Sequence, residues 1–567
     1  MGTKMKTIII GIDGMDYKFT KRLINEGKLP NFKKLETFSE LKPNYPPNSP
    51  VCWTTLATGK NPGEHSIYDF IKINPENYLP ELSLFKQKFT NLGIEYRPSN
   101  LSKPFWKIAE EKNIKTKIIR WPLTFPIEES KTKILAGLGV PDIKGFLSGN
   151  SFYTSKKIEK KLKPTNKIIY VTQQKIIRTK IFGPKEQTNE GQINLTSELI
   201  INLEKQTIKT NISKIKFKKN KWSDWLSISF KNKSSKKIQA IFKVFISNIK
   251  PFEMFVTSLQ IDPTKPLIKI SNPEEYSKII SKEIKQKYYT LGIAEETDGL
   301  NEGFIDYKSF LEQTKEIDDE KTKIFWNEFK KFKDGIFAFV FDTSDRLQHM
   351  FWQKDKKIIE KYFIEKDKFI GELLNKIGNT TKLFIVSDHG FEKYDYSINI
   401  NKWLYKNNYL HITSEKSKFP LENIDWKKTK AYSIGFNSIY LNLKNRESEG
   451  IILEKEKKKL EDEIKKKLEN LKHNHKKVIN KIYKSKEVWS GNLKSAPELI
   501  VGFMPRYRMS WKSALGDITE EIISKNNKKW NADHLIDPKF VKGIFFCNKK
   551  INPPKKQEDF AKIILDS

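Results

Sequence analysis

The sequence predicts a three-layer α/β fold with a mainly parallel central sheet and a β-rich inserted domain. Three observations carry that expectation. Short β-branched runs such as TIIIGID and KTKIIRW alternate with amphipathic stretches such as DYKFTKRLINEG over residues 1–165, the pattern of buried parallel strands with helices between them. Between 166 and 275 the texture changes to successive strand patterns. From 276 onward the α/β alternation resumes, and two further apolar strands, DGIFAFVFDT and TKLFIVSD, each run into an Asp. The chain is thus expected to divide into a first core segment (1–165), an insertion (166–275) and a second core segment (276–567).

The elements follow in order. MGTKMKTIII has lysines before an apolar run, as a signal peptide does, but the run is short, ends in GIDG and lacks a small-residue cleavage site, so it reads as the first buried strand. Lys6 stands where an acylation signal at Met1-Gly2 would need Ser or Thr. Asp13 follows this strand directly, the place where α/β sheets present their ligands. The insertion carries KIIYVTQQKIIRTKIFG, SKIKFKKNKWSDWLSISFKN, KKIQAIFKVFISN and EMFVTSLQIDP, read as mostly antiparallel strands with one buried and one wet face. EEYSKIISKEIKQKYY opens the second core segment as a helix. Near the end, Leu453, Leu460, Ile464, Leu468 and Leu471 form a stripe on a lysine-rich helix that is expected to pack on the body. No segment offers the roughly 18 uncharged apolar residues of a membrane-spanning helix.

Composition narrows the function classes. A chain of 567 residues can bury a large core. Two cysteines, Cys52 and Cys547, cannot form a disulfide framework, which fits a reducing compartment, and a cytoplasmic location is expected. The formal charge of +36 makes nucleic acid or an anionic membrane surface a candidate partner. Only eight of the 105 basic residues are arginine, however, and the lysines are spread along the whole chain. Specific phosphate readers favour the planar fork of arginine, so a solvated lysine surface is the preferred reading.

Chemistry concentrates elsewhere. Asp345 and His349 are four residues apart just after a strand, so one helical turn puts both on one face. Asp388 and His389 end another strand, with Gly390 permitting a tight turn behind them. Asp13 and the His534 of NADHLIDPKF complete a set of N and O donors that suits zinc or manganese. Taken singly, each has an ordinary explanation as a turn aspartate, a helix cap or a hydrogen-bonded imidazole. His65, in NPGEHSIYDF, is expected to hold a turn, while His473 and His475 face different ways on their element.

These residues, with PPNSPVCWTTLATGKNPGEH, FWKIAEEKN, GLGVPDIKG, TLGIAEETDGL and SAPELIVGF, make the chain resemble the type I phosphodiesterase/nucleotide pyrophosphatase family of the alkaline phosphatase superfamily, and within it a prokaryotic subgroup. The resemblance implies an alkaline-phosphatase-like core and a nucleophile ten residues before the Gly of a Thr-Gly pair, which is Ser49 before Thr58-Gly59. It implies one divalent metal ion held by Asp13, Ser49, Asp388 and His389 and a second held by Asp345, His349 and His534, with zinc the first choice and manganese the second. In-line displacement by Ser49 and a seryl-linked intermediate would follow. An Asn expected three residues after the nucleophile is replaced here by Cys52, so Asn48 or a backbone N–H would have to take over that contact; Arg346 is a further candidate substrate contact. A sulfatase would need x-Pro-x-Arg after the nucleophile, which Pro50-Val51-Cys52-Trp53 does not supply.

The expected activity is metal-dependent hydrolysis of phosphodiester or pyrophosphate bonds in a small phosphorylated substrate such as a nucleotide, nucleotide sugar or phospholipid-type diester. The alternatives are a phosphomonoesterase, a phosphoglycerate-mutase-like phosphotransferase and, from another class, a non-catalytic polyanion-binding protein.

Overall fold

The computed structural model describes residues 6–90, 93–188, 191–232, 237–414 and 421–567; residues 1–5, with the Met1-Gly2 pair, lie outside them. The chain forms two compact units. One comprises Met1–Lys86, Pro98–Thr116 and Asp334–Ser567, the other Gln87–Arg97 and Lys117–Lys333.

The first unit is built on β1 (Lys6–Ile12), α1 (Tyr17–Asn25), β2 (Thr37–Leu41), α2 (Ser49–Thr58), β3 (Gly335–Phe341), α3 (Thr343–Phe351), α4 (Lys356–Lys376), β4 (Lys382–Val386), β5 (Gly543–Cys547) and α5 (Phe560–Leu565). Its strands lie in the order β2-β5-β4-β1-β3. β1 runs parallel to both neighbours, with Ile8 opposite Phe337 on one side and Leu383 on the other. β5 alone runs against β4 and β2. The mainly parallel sheet predicted from the sequence is therefore present. Every residue of β3 is buried, which explains why GIFAFVF reads as one apolar run without alternation.

Local chemistry sets the helix ends. Asp16 caps α1, its Oδ1 accepting the Phe19 N–H at 2.7 Å. α2 starts at Ser49 with Pro50 in its first turn and stops at Gly59, whose φ of 66° is the left-handed conformation that ends helices. α3 follows β3 after a single residue, Asp342, so the helix springs directly from the carboxyl end of a central strand.

A smaller sheet of the same unit pairs Glu392–Ile398 with Arg506–Met509 and Ile523–Lys525, and the two-residue strand Ala532–Asp533 pairs with Glu392-Lys393. A third sheet, from Ala431–Tyr432, Ser438–Leu441, Leu499–Phe503 and Ile479–Lys484, shares one core with the lysine-rich helix Glu454–Glu469. That helix buries Leu460, Ile464 and Leu468, as its stripe predicts, and leaves Leu453 in the open.

The second unit is rich in strands. Lys133–Leu135 pairs with Thr116–Ile119 in parallel and with Ser271–Asn272 antiparallel. A long hairpin, Ile176–Thr188 with Gly191–Asn202, continues into Thr207–Lys209 and Lys214–Lys216. Leu226–Lys231, Lys237–Phe242 and Gln260–Ile261 form a further antiparallel group. Ser151–Thr154 joins Lys167–Tyr170, Phe252–Val256 and Val244–Ile249. The strand patterns read between 166 and 275 thus fall on strands. Among the described residues, no helix is long and apolar enough to cross a membrane.

Candidate active site

The site lies in the first unit, where the carboxyl ends of three adjacent parallel strands converge. β1 delivers Asp13, β3 leads into α3 with Asp345 and His349, and β4 leads into Asp388 and His389. α2 brings Ser49 as its first residue, and the segment after Ala532–Asp533 brings His534. All seven are buried. The Ser49 Oγ lies 3.1 Å from His389 Nε2, which in turn is 3.1 Å from Asp388 Oδ2 and 3.8 Å from Asp13 Oδ1. His349 Nε2 is 3.3 Å from Asp345 Oδ2, and His534 Nε2 is 3.8 Å from Asp345 Oδ1.

The three imidazoles are oriented alike. His349 Nδ1 meets the Ala532 carbonyl at 2.8 Å, His389 Nδ1 the Gly390 carbonyl at 3.2 Å and His534 Nδ1 the Pro47 carbonyl at 2.6 Å. A carbonyl can only accept, so each Nδ1 must donate its proton and each Nε2 presents a lone pair to the site. A metal-ligating histidine has this arrangement.

The carboxylates point to a cation as well. Asp13 Oδ1, Asp345 Oδ1 and Asp388 Oδ2 are buried with no hydrogen-bond partner. Their other oxygens are held: Asp13 Oδ2 accepts from Trp53 Nε1 at 3.2 Å, Asp388 Oδ1 from the Gly14 N–H at 3.0 Å, and Asp345 Oδ2 contacts Arg346 Nη1. Burial, and then the nearby Asp388 and Asp345 charges, push the Asp13 carboxyl well above its usual range. Asp345 goes the other way: burial opposes ionisation, but His349 and Arg346 hold it well below. Burial and then His389 push His534 down to about 3. Buried carboxylates this close, each with a free oxygen, need compensating positive charge. Two groups have donor atoms within 4.8 Å of one another: Asp13, Asp388 and His389, and Asp345, His389 and His534. His389 belongs to both, its ring stacked on that of His534 at 3.6 Å. The residues present therefore fit two divalent cations of the zinc or manganese type.

The remaining sequence candidates are placed as follows. Arg346 is buried beside Asp345. Asn48 precedes Ser49 and donates through Nδ2 to Asp69 Oδ1 at 3.1 Å, while its Oδ1 is buried without a hydrogen-bond partner. Cys52 is fully buried, and burial followed by the Asp388 charge pushes its thiol well up, so it stays protonated. His65 is packed inside, with Nε2 3.1 Å from Thr55 Oγ1 and Nδ1 accepting the Ile67 N–H.

Several supporting residues left no sequence signal. Asp69 accepts from Asn48 and from the backbone of Phe70, Phe436 and Asn437, and burial raises it to about 7. Gln557 donates to the Asp388 carbonyl at 2.6 Å and accepts from the Asn44 N–H. Both act through contacts hundreds of residues apart or through main-chain atoms, which leave no pattern in a single sequence.

A model of the type I phosphodiesterase / nucleotide pyrophosphatase family matches residues 7–212 and 253–527. No curated protein matches the chain. Among solved structures, phosphonoacetate hydrolase from Sinorhizobium meliloti 1021 with phosphonoformate aligns over 99% of this chain and 95% of its own, at 9% identity and a TM-score of 0.46. Human ectonucleotide pyrophosphatase / phosphodiesterase 5 aligns over 99% and 94%, at 11% identity and a TM-score of 0.41.

Proposed function

Because this chain belongs to the type I phosphodiesterase / nucleotide pyrophosphatase family of hydrolytic enzymes, we propose that it hydrolyses phosphodiester or pyrophosphate bonds with Ser49 as nucleophile. The observation that carries this reading is the meeting of Ser49 Oγ, His389 Nε2 and the partnerless oxygens of three buried carboxylates at the ends of adjacent strands. Asp13, Asp388, His389 and Ser49 would hold one divalent cation and Asp345, His349 and His534 the other, zinc before manganese. Such a pair would lower the pKa of the serine hydroxyl and neutralise charge on the phosphoryl and leaving oxygens.

The chain's own residues then do the following. The first turn of α2 aims Ser49 Oγ into the site with the positive end of the helix behind it. Ser49 gives up its proton, its Oγ bonds to phosphorus, and the bond from phosphorus to the leaving oxygen breaks. Water then attacks the seryl-linked phosphorus from the opposite side and frees Ser49. Asp69 fixes the amide of Asn48 next to the nucleophile, and Arg346 lies beside Asp345 as a positive group near the developing charge.

The substrate class is a small phosphorylated molecule: a nucleotide, nucleotide sugar or phospholipid-type diester. Two buried free cysteines accord with a cytoplasmic location. The test is metal-dependent turnover of bis-p-nitrophenyl phosphate against p-nitrophenyl phosphate. Ser49→Ala should lower diester turnover by about 10³-fold or more with the fold intact. Unchanged turnover would remove Ser49 from its role, and faster cleavage of the monoester would turn the reading to a phosphomonoesterase.

A further inference from the structure

The second ligand group has a support that the first lacks. The five residues from Trp530 to His534 wrap His349. The Trp530 indole stacks on the His349 ring, with centroids 3.5 Å apart. The Asn531 N–H donates to the His349 carbonyl at 2.9 Å, and the Ala532 carbonyl takes the His349 Nδ1 proton. His534 closes the segment as a candidate ligand.

Asp533 ties these pieces together. Its Oδ1 accepts from the backbone N–H of His534 at 2.9 Å and of Leu535 at 3.1 Å. Its Oδ2 accepts from Trp530 Nε1 at 2.8 Å and lies 2.7 Å from Arg508 Nε. Arg508 is almost wholly buried, its guanidinium 4.3 to 5.4 Å from the rings of Trp511, Phe436 and Tyr394. One carboxylate thus fixes the main chain that carries His534 and the indole face on which His349 rests, and a caged arginine fixes that carboxylate.

We propose that Asp533 is a positioning residue for the Asp345, His349 and His534 cation site, with Arg508 and Trp530 as the other two members of one brace, and that loss of the brace weakens this site while sparing the Asp13, Asp388 and His389 site. The inference rests on the two-cation reading of the site. Neither His349 nor His534 hands its Nδ1 proton to a carboxylate; both use neutral main-chain carbonyls. Their orientation is therefore only as firm as the backbone of 530–534, which Asp533 pins. The first group is pinned otherwise, by the Gly14 N–H on Asp388 and by Gln557 on the Asp388 carbonyl, neither of which touches the brace.

The experiment measures zinc equivalents per chain after dialysis, zinc affinity by titration, and the visible spectrum of the cobalt-loaded protein. In Asp533→Asn, Oδ1 can still accept from the two backbone N–H groups, but the new Nδ2 faces two donors, the indole N–H and the guanidinium, and leaves Arg508 buried without a counter-charge. That variant could fail to fold for the second reason alone. The double variant Asp533→Asn with Arg508→Met removes the buried charge, and Trp530→Phe keeps the ring while deleting its N–H.

In both of these, the fold and one zinc equivalent should persist while the other is held about 10- to 100-fold more weakly, the range for losing an outer partner of a metal ligand. The cobalt spectrum should lose or shift the contribution of one site. Two equivalents held at wild-type affinity with an unchanged spectrum would overturn the brace and leave the two-cation reading standing. Wild-type protein that takes up no zinc would instead overturn the two-cation reading and this inference together.

Discussion

The two ligand groups are built from different materials. The first, Asp13, Asp388 and His389, sits directly on the ends of β1 and β4, where the sheet ladder fixes the chain to within a residue of each ligand. The second, Asp345, His349 and His534, combines one turn of α3 with a segment nearly two hundred residues later, held by side chains. A group anchored by main-chain bonds in a buried sheet inherits the stability of the whole sheet. One anchored by side chains can be loosened locally without unfolding anything. The comparison teaches that two cation sites sharing His389 need not share a fate.

The comparison can be broken most forcefully at its firm end. Asp388→Asn retains an oxygen for the Gly14 N–H but removes a charged ligand from the first group. Turnover should fall about 10³-fold, the equivalent of several kcal/mol of lost electrostatic stabilisation. The second zinc equivalent should remain bound, read by metal analysis of the same sample. Loss of both equivalents would show the groups to be one unit.

Metal-free protein offers a second test, because the stacked histidines titrate in opposite senses. His534 is driven to about 3 against roughly 6.5 for a free imidazole. The unfolded chain therefore takes up this proton first, and the stability His534 contributes above pH ~6.5 is lost as the pH falls toward 3. Burial opposes the charged form of His389 too, but Asp388 and then Asp345 outweigh it and raise its pKa. Its contribution is present below pH ~6.5 and is lost as the pH rises through the higher folded value. Urea unfolding at a series of pH values should show His534→Gln flattening the acid limb and His389→Gln flattening the alkaline one. The reverse assignment would contradict the electrostatics of the pair.

A smaller effect is expected at Gly390. A Cβ there would come within 2.3 Å of Asp16 Oδ2 and 2.5 Å of the Lys542 carbonyl. Gly390→Ala should therefore cost about 1–3 kcal/mol in denaturant unfolding, and it should disturb the first group before the second, read as the order in which zinc is lost to a chelator. An unaffected first site would mean that the turn can yield without moving Asp388.

The firm group was also the legible one. Asp13, Asp345 and Asp388 close short apolar runs whose length and β-branching mark buried strands, and a helix period links Asp345 to His349, so local sequence predicts both the strands and where their ends point. The strands of the second unit and the stripe of Leu460, Ile464 and Leu468 were readable for the same reason. Arg508, Trp530 and Asp533 were not, because their roles arise only when Ala532–Asp533 pairs with Glu392-Lys393, a contact across some 140 residues. Gly390 was readable as a turn, yet what demands glycine there is the close approach of Asp16 and Lys542. Gln557 acts on main-chain atoms and leaves no signal in the sequence.

The central claim, that Ser49 carries the phosphoryl or nucleotidyl group between two steps, is tested most directly by acid-quenching the zinc-loaded enzyme during turnover of a diester and weighing the peptide around Ser49. The account predicts that this peptide gains the mass of the transferred group in the wild type and in no Ser49→Ala sample. Continued diester turnover by Ser49→Ala, with the Ser49 peptide of the wild type unmodified throughout, would contradict it.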